Sequence, residues 1–165
     1  MTELNELHRT VVTLPTDTEI HTERIFDASP GVIWDCFMDP ELLKQWLGPD
    51  RLEMRVEEFD ARPGGKWSYV HIDTDGTEYR FFGEFLELDR PVRAVQSFNF
   101  VMEPQPPPSI DELNLIAIEG GRTRLVTKTT FESREQRDGM IQSGMEKGMN
   151  EGYASLDSIL ADRRD

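Results

Sequence analysis

Polar and apolar positions alternate over residues 18–26, with the β-forming Ile20, Thr22 and Ile25 among them, and this period of two predicts a first strand. Ser29-Pro30 follows, an N-cap residue and then a proline at the first helical position, so a helix starts there. It carries Val32, Ile33, Trp34 and Phe37 and stops before Asp39-Pro40, which repeats the start signal. A second short helix over 41–47 closes at Gly48-Pro49. Strands are then predicted over 52–59, 66–73, 78–88, 92–101, 112–119 and 123–131. Pro63-Gly64-Gly65, Thr74-Asp75-Gly76, Arg90-Pro91 and Gly120-Gly121 separate them, and residues 102–109, with four prolines, read as loop.

Ser133, with Gln136 three positions on, forms a capping-box signal that opens a terminal helix. One face of that helix carries Ile141, Met145, Met149, Tyr153, Leu156 and Leu160. Beside it runs a row of three glycines four apart, Gly144, Gly148 and Gly152. Each glycine inside a helix costs about 0.8–1 kcal/mol relative to alanine, so the row has to serve something. The expectation is that the helix roofs a space meant for a guest. The alternatives are close helix packing in a homodimer and side chains that simply fill a core.

The order strand, two short helices, about six strands and one long helix predicts an α+β fold. Strands joined by short turns make an antiparallel sheet of six or seven strands, which twists and curls round the terminal helix. Residues 1–15 read as an N-terminal extension and 16–163 as a single domain without internal repeats.

Charge narrows the partners. The net charge of −14 repels phosphate backbones, so no nucleic acid is expected. No membrane span is expected either, since no apolar run approaches the roughly 18 residues it takes. With no export signal and a lone cysteine, Cys36, the cytoplasm is the expected compartment. Cys36 reads as a small core residue. His8, His21 and His71 show no metal-ligand spacing, and no phosphate loop or dinucleotide fingerprint is present, so neither cofactor nor metal is expected.

Alternation puts Trp67, Tyr69 and His71 on one strand face. If Thr74-Asp75-Gly76 is a three-residue loop, they lie opposite Gly83, Phe81 and Tyr79, with Trp67 over Gly83 and with Phe85 and Glu87 on the same face. A two-residue turn would bring in Phe82 and Glu84 instead, because one register step flips every side chain. The more aromatic face favours the first. Phe98, Phe100 and Gln96 share a face on the next strand, and Met145, Met149 and Tyr153 come from the helix.

Several motifs together resemble the SRPBCC (START-like, birch-pollen-allergen-like) superfamily, and within it the family named for the activator of the heat-shock-protein-90 ATPase homologue. They are Thr22-Glu23-Arg24-Ile25-Phe26-Asp27-Ala28, Val32-Ile33-Trp34, Asp39-Pro40-Glu41-Leu42-Leu43-Lys44-Gln45-Trp46-Leu47-Gly48-Pro49, Pro63-Gly64-Gly65-Lys66-Trp67, Asp75-Gly76-Thr77, Gly83-Glu84-Phe85-Leu86-Glu87 and Gly148-Met149-Asn150-Glu151-Gly152-Tyr153. The resemblance implies a helix-grip fold with a cavity between sheet and C-terminal helix. It also implies, by name alone, a chaperone partner. Tyr153 stands where such proteins often carry tryptophan, and Trp46-Leu47 where they often carry paired aromatics.

The function expected is non-covalent binding of a small hydrophobic or amphipathic molecule. Trp67, Tyr69, Phe81, Phe85, Phe98, Phe100, Met145, Met149 and Tyr153 would form the walls, and His71 and Glu87 would orient the ligand. One alternative is a cyclase- or hydrolase-type enzyme using His71 with Asp73 or Glu87 as general acid–base pair. The other is a co-chaperone-like module that stimulates a heat-shock-protein-90 ATPase. No catalytic residue beyond His71 offers itself.

Overall fold

The computed structural model describes residues 8–163. Strands β1 (Val11–Thr13), β2 (Glu19–Phe26), β3 (Glu53–Phe59), β4 (Lys66–Ile72), β5 (Glu78–Asp89), β6 (Arg93–Phe100), β7 (Ser109–Ile118) and β8 (Arg122–Thr130) form one eight-stranded sheet. Its order is β1-β2-β8-β7-β6-β5-β4-β3, and every neighbouring pair is antiparallel. Helices α1 (Pro30–Met38) and α2 (Pro40–Leu43) follow β2, and α3 (Arg134–Gln142) and α4 (Met145–Arg163) close the described chain. This is the predicted α+β helix-grip, with more strands than the six or seven expected. The additional edge strand β1 falls in the segment read as an extension; residues 1–7 of that segment lie outside the described residues.

Two of the three helix-start residues cap with their side chains, whereas Ser29 stands at the N-cap of α1 without a side-chain hydrogen bond. Ser133 caps α3 by accepting from the Gln136 amide at 3.1 Å, and the Gln136 side chain accepts in turn from the Glu132 amide. Gln136 Nε2 also donates to the Pro107 carbonyl, tying the proline loop to α3. Asp39 caps α2 through the Glu41 amide at 2.9 Å. The hairpin register is the one that a three-residue loop dictates: Trp67 pairs with Gly83, Tyr69 with Phe81 and His71 with Tyr79. A Cβ on Gly83 would lie 2.6 Å from the Trp67 ring, so only glycine lets the indole lie flat there.

Cross-strand pairing lays the inner face of the sheet out in rows. Arg24, Leu125 and Leu115 form one, and Thr22, Thr127, Leu113, Ala94 and Leu88 the next. The row after that runs Ile20, Thr129, Asp111, Gln96 and Phe85. Helix α4 packs Tyr153, Leu156 and Leu160 into a core with Phe26, Leu125, Leu115, Trp34 and Trp46. It is fastened there by Arg24, which donates to both carboxylate oxygens of Asp157 and lies 4.5 Å over the Phe26 ring. Cys36 is fully buried in this core, as expected.

The terminal helix is not continuous. Ser143 ends α3, and Gly144, at φ +89°, turns the chain before α4 begins. Gly144 is therefore a joint between two helices and not part of a bare stripe. Gly148 and Gly152 do sit in α4, but their bareness serves the protein itself. A Cβ on Gly152 would lie 2.8 Å from the Trp46 carbonyl oxygen and 3.3 Å from the Gly48 amide, and one on Gly148 would lie 3.3 Å from Pro49. The expectation that this row faces a guest is overturned, because main chain of the 46–49 segment occupies it. The same contact removes the row as a reason for a homodimer.

Gly152→Ala is therefore expected to destabilise the protein. The backbone clash costs about 1–3 kcal/mol, against a gain in helix propensity of about 1 kcal/mol. Gly139→Ala in α3, where nothing lies within 4 Å of the new methyl, is expected to stabilise it by about 0.5–1 kcal/mol. Urea midpoints of the two variants should move in opposite directions.

Candidate functional site

A second apolar cluster sits beside the main core and contains no residue of α4. Trp67, Tyr69 and Phe85 are buried in it, with Phe81, Phe98, Met54, Val56, Phe59, Met38, Leu47 and Leu88 packed against them. Its rings form a continuous array. Tyr69 stacks on Trp67 at 5.4 Å and on Phe81 at 5.3 Å, while Phe81 lies 5.5 Å from Phe98 and 5.1 Å from Phe100. Phe81, Phe98 and Phe100 are only half-buried.

Most of the expected wall residues thus come together, but in two groups. Trp67, Tyr69, His71, Phe81, Phe85, Phe98 and Phe100 belong to the aromatic array and its neighbours. Tyr153 and Met149 belong to the main core, where Tyr153 meets Phe26 edge-on at 5.2 Å. Met145 is half-buried at the first turn of α4.

Glu87 does not line the inner face. A β-bulge between Phe85 and Glu87 gives β5 one residue more than β6, so Phe85 pairs with Gln96 but Glu87 with Val95. The extra residue reverses the alternation. Leu88 turns inward in its place, while Glu87 is exposed and accepts from Arg93 at 2.9 Å. Phe85 and Leu88, three apart, were the signal: a regular strand cannot bury both on one face.

His71 is 6% exposed, 5.1 Å from Tyr69 and 5.5 Å from Phe81, and its Nε2 has no hydrogen-bond partner among the described residues. Burial pushes it down to about 4, so the imidazole is neutral at pH 7. Neither carboxylate proposed for it is at hand. Asp73 accepts from the Thr74 amide at 2.7 Å within its own turn, and Glu87 is on the far face. The acid–base pair expected from sequence is not assembled. Trp67 Nε1 is likewise buried without a partner.

Asp111 is the inner-face residue that sequence reasoning missed. The strand was expected to begin at 112, whereas β7 begins at Ser109 and aims Asp111 to the same side as Leu113 and Leu115. The period of two through Asp111, Leu113 and Leu115 could have found it. Thr129 donates to Asp111 Oδ1 at 2.9 Å. Burial pushes the carboxyl up to about 6, against the hydrogen bonds from Thr129 and Gln96 that pull it down. Its charge is felt by the Tyr69 hydroxyl on β4 and the Tyr153 hydroxyl on α4, both raised chiefly by burial.

Two surface grooves lie elsewhere. One of about 340 Å³ is lined by Trp34, Asp35, Met38, Asp39, Leu42, Ala61, Leu88, Arg90 and Arg163. Its charges are partly self-satisfied, Arg90 donating to Asp35 at 3.1 Å. The other, of about 540 Å³, lies against the polar face of α4 between Asp50 and Glu146, Asn150 and Glu151. No helix among the described residues is long and apolar enough to cross a membrane.

The family model for Activator of Hsp90 ATPase homolog 1-like protein matches residues 27–161. The chain belongs to that family. No curated protein resembles it closely enough to count as a match. Among solved structures, a protein from Rhodobacter sphaeroides is similar at 26% identity and a TM-score of 0.86, the match covering 93% of this chain and 99% of that one. A protein from Arthrobacter aurescens shares 28% identity at a TM-score of 0.83, over 92% of this chain and 91% of that one. Protein Ms6760 from Mycobacterium smegmatis shares 25% at 0.82, over 91% and 95%. Family membership and these likenesses establish the helix-grip; they name no ligand.

Two titratable groups of the inner face, half-buried Asp111 and buried His71, give opposite pH signatures. Asp111 binds its proton more tightly folded than unfolded, between the ordinary carboxylate value of 3.8 and about 6. Its ionisation therefore costs stability as pH rises through that window, and nothing below it. Asp111→Asn, which keeps an acceptor for Thr129, should stabilise the protein by about 1–3 kcal/mol at pH 7.5 and by little at pH 4. His71 binds its proton less tightly folded, at about 4 against 6.5. Its contribution is intact above 6.5 and is lost as pH falls toward 4, so His71→Leu should flatten the acid side of the stability curve. Thermal melts from pH 4 to 8 check both.

Proposed function

We propose that this protein binds a small hydrophobic or amphipathic molecule, without covalent chemistry, between the inner face of β4–β8 and the start of α4. The observation that carries the reading is the division of the interior. Helix α4 packs on one cluster, and the aromatic array beside it, with its outer rings Phe81, Phe98 and Phe100 half-buried, receives no side chain from α4. Trp67 Nε1 and His71 Nε2, buried and unpaired, sit in or against that array. Buried polar atoms are otherwise almost always paired, so these two support a site whose polar partner arrives with the ligand.

Binding would come from desolvation of ring faces. Covering about 200 Å² of apolar surface contributes about 5 kcal/mol at 25 cal/mol per Å², less the ordering costs of association. The half-buried Met145 at the start of α4 would supply an adaptable edge. The neutral, uncoupled imidazole of His71 favours a binding role over an acid–base one.

Calorimetric titration with decanol and with 1-naphthol tests this. Micromolar binding is expected for the native chain. Thr129→Trp, which fills the inner face, should weaken it at least about tenfold, and Phe98→Ala should weaken 1-naphthol more than decanol. Glu87→Gln, on the outer face, should leave both affinities unchanged. Binding that survives Thr129→Trp in a variant of native circular dichroism would reject the site.

A further inference from the structure

The geometry points to a ligand that carries a basic nitrogen, received by Asp111 on the inner face of the sheet beside the aromatic array. This inference rests on the binding reading above and names the chemical class that the same site would take.

Asp111 stands at the centre of an inward row, with Gln96 opposite it on β6 and Thr129 opposite it on β8. Its identified hydrogen-bond donors are neutral: the Thr129 hydroxyl at 2.9 Å and the Gln96 amide. No arginine or lysine pairs with it among the described residues. The buried cations are already engaged. Arg24 is held by both oxygens of Asp157, and Arg137 donates to Asp138 and to the Thr16 carbonyl. A carboxylate on the inner face of the sheet without a counter-charge is a standing cost to the fold. A protonated amine removes that cost and adds a charge-assisted hydrogen bond.

The surroundings suit such a head group. The Asp111 charge reaches the Tyr69 hydroxyl from the sheet side and the Tyr153 hydroxyl from the helix side. Phe98 is the next inward residue on β6 after Gln96, and Phe81 stacks on Tyr69 at 5.3 Å. Aromatic faces attract cations as well as apolar chains. An alkyl or aryl tail could lie on the rings while the nitrogen reaches the carboxylate. A carboxylate head would meet Asp111 as a like charge, so fatty acids are the disfavoured class.

The test compares three probes of equal chain length, decylamine, decanol and decanoate, titrated into the full chain at pH 7.5 and 150 mM salt. The native protein should bind decylamine at least about tenfold more tightly than decanol, and decanoate less tightly than decanol. In Asp111→Asn the ratio of decylamine to decanol affinity should fall below about threefold. Asp111→Thr provides a second neutral variant with the same expectation. The substitution alters only one charge in a net of −14, so a general attraction of amines to an acidic surface would survive it. Equal affinity for amine and alcohol in the native chain, or an amine preference that persists in both variants, overturns the inference and leaves the binding site standing. Failure of all three probes to bind the native chain strikes instead at the binding reading and takes this inference with it.

Discussion

The interior is organised by one close approach of main chain to main chain. The segment 46–49 crosses α4 at Gly152 and Gly148, near enough that the Trp46 carbonyl would meet any side chain there. On its other side Gly48 lies against the ring of His71, where a Cβ would fall 2.3 Å from Cε1. The loop is thus wedged between helix and sheet. It holds α4 over the rows of Phe26, Leu125 and Leu115, and the Trp46 indole is fixed beneath it by donating to the Cys36 carbonyl at 3.0 Å. Because α4 is committed to that half of the sheet, the aromatic rows of β4–β6 receive none of its side chains. The second cluster, and with it the candidate site, follows from where the wedge sits.

Most of the fold was legible in local chemistry. Ser29-Pro30, Asp39-Pro40 and Ser133 mark helix starts, and Gly76, at φ +87°, sets a three-residue turn that fixes the register of Trp67 and Tyr69. These are signals whose cause and effect lie within a few residues of each other. The failures share a different character. Gly148 and Gly152 announce close packing, but sequence cannot say whether a guest, a second chain or the chain's own loop comes close. Gly144 has the right spacing to extend that row, yet it serves a turn. Glu87 is misplaced by a bulge that only the partner strand reveals, since one extra residue on β5 has meaning solely against β6.

Asp111 was missed for a related reason. Beside the proline loop, an Asp reads as a turn residue, and it becomes an inner-face group only because β7 begins three residues earlier than expected, at Ser109. Its effect on the molecule is nonetheless large. The sheet interior holds a carboxylate pushed up to about 6 on one side and an imidazole pushed down to about 4 on the other. Both shifts arise first from burial and both disfavour the charged form, so they report the same low-polarity interior. One group is strained by neutral pH and the other by acid, so no single pH relieves both.

That strain separates what the fold needs from what the site needs. An apolar residue at Asp111, between Phe85 on one edge of its row and Ile20 on the other, would pack without a charge to neutralise. Relatives at 25–28% identity keep the architecture to a TM-score above 0.8, so the helix-grip tolerates wide change in its sequence. A shell so tolerant does not dictate an inward-facing carboxylate. Groups that cost stability without serving the fold concentrate where function requires them. The polar row Thr129, Asp111 and Gln96, set against rings that could have been joined by more rings, is where the chemistry of this family member is to be sought.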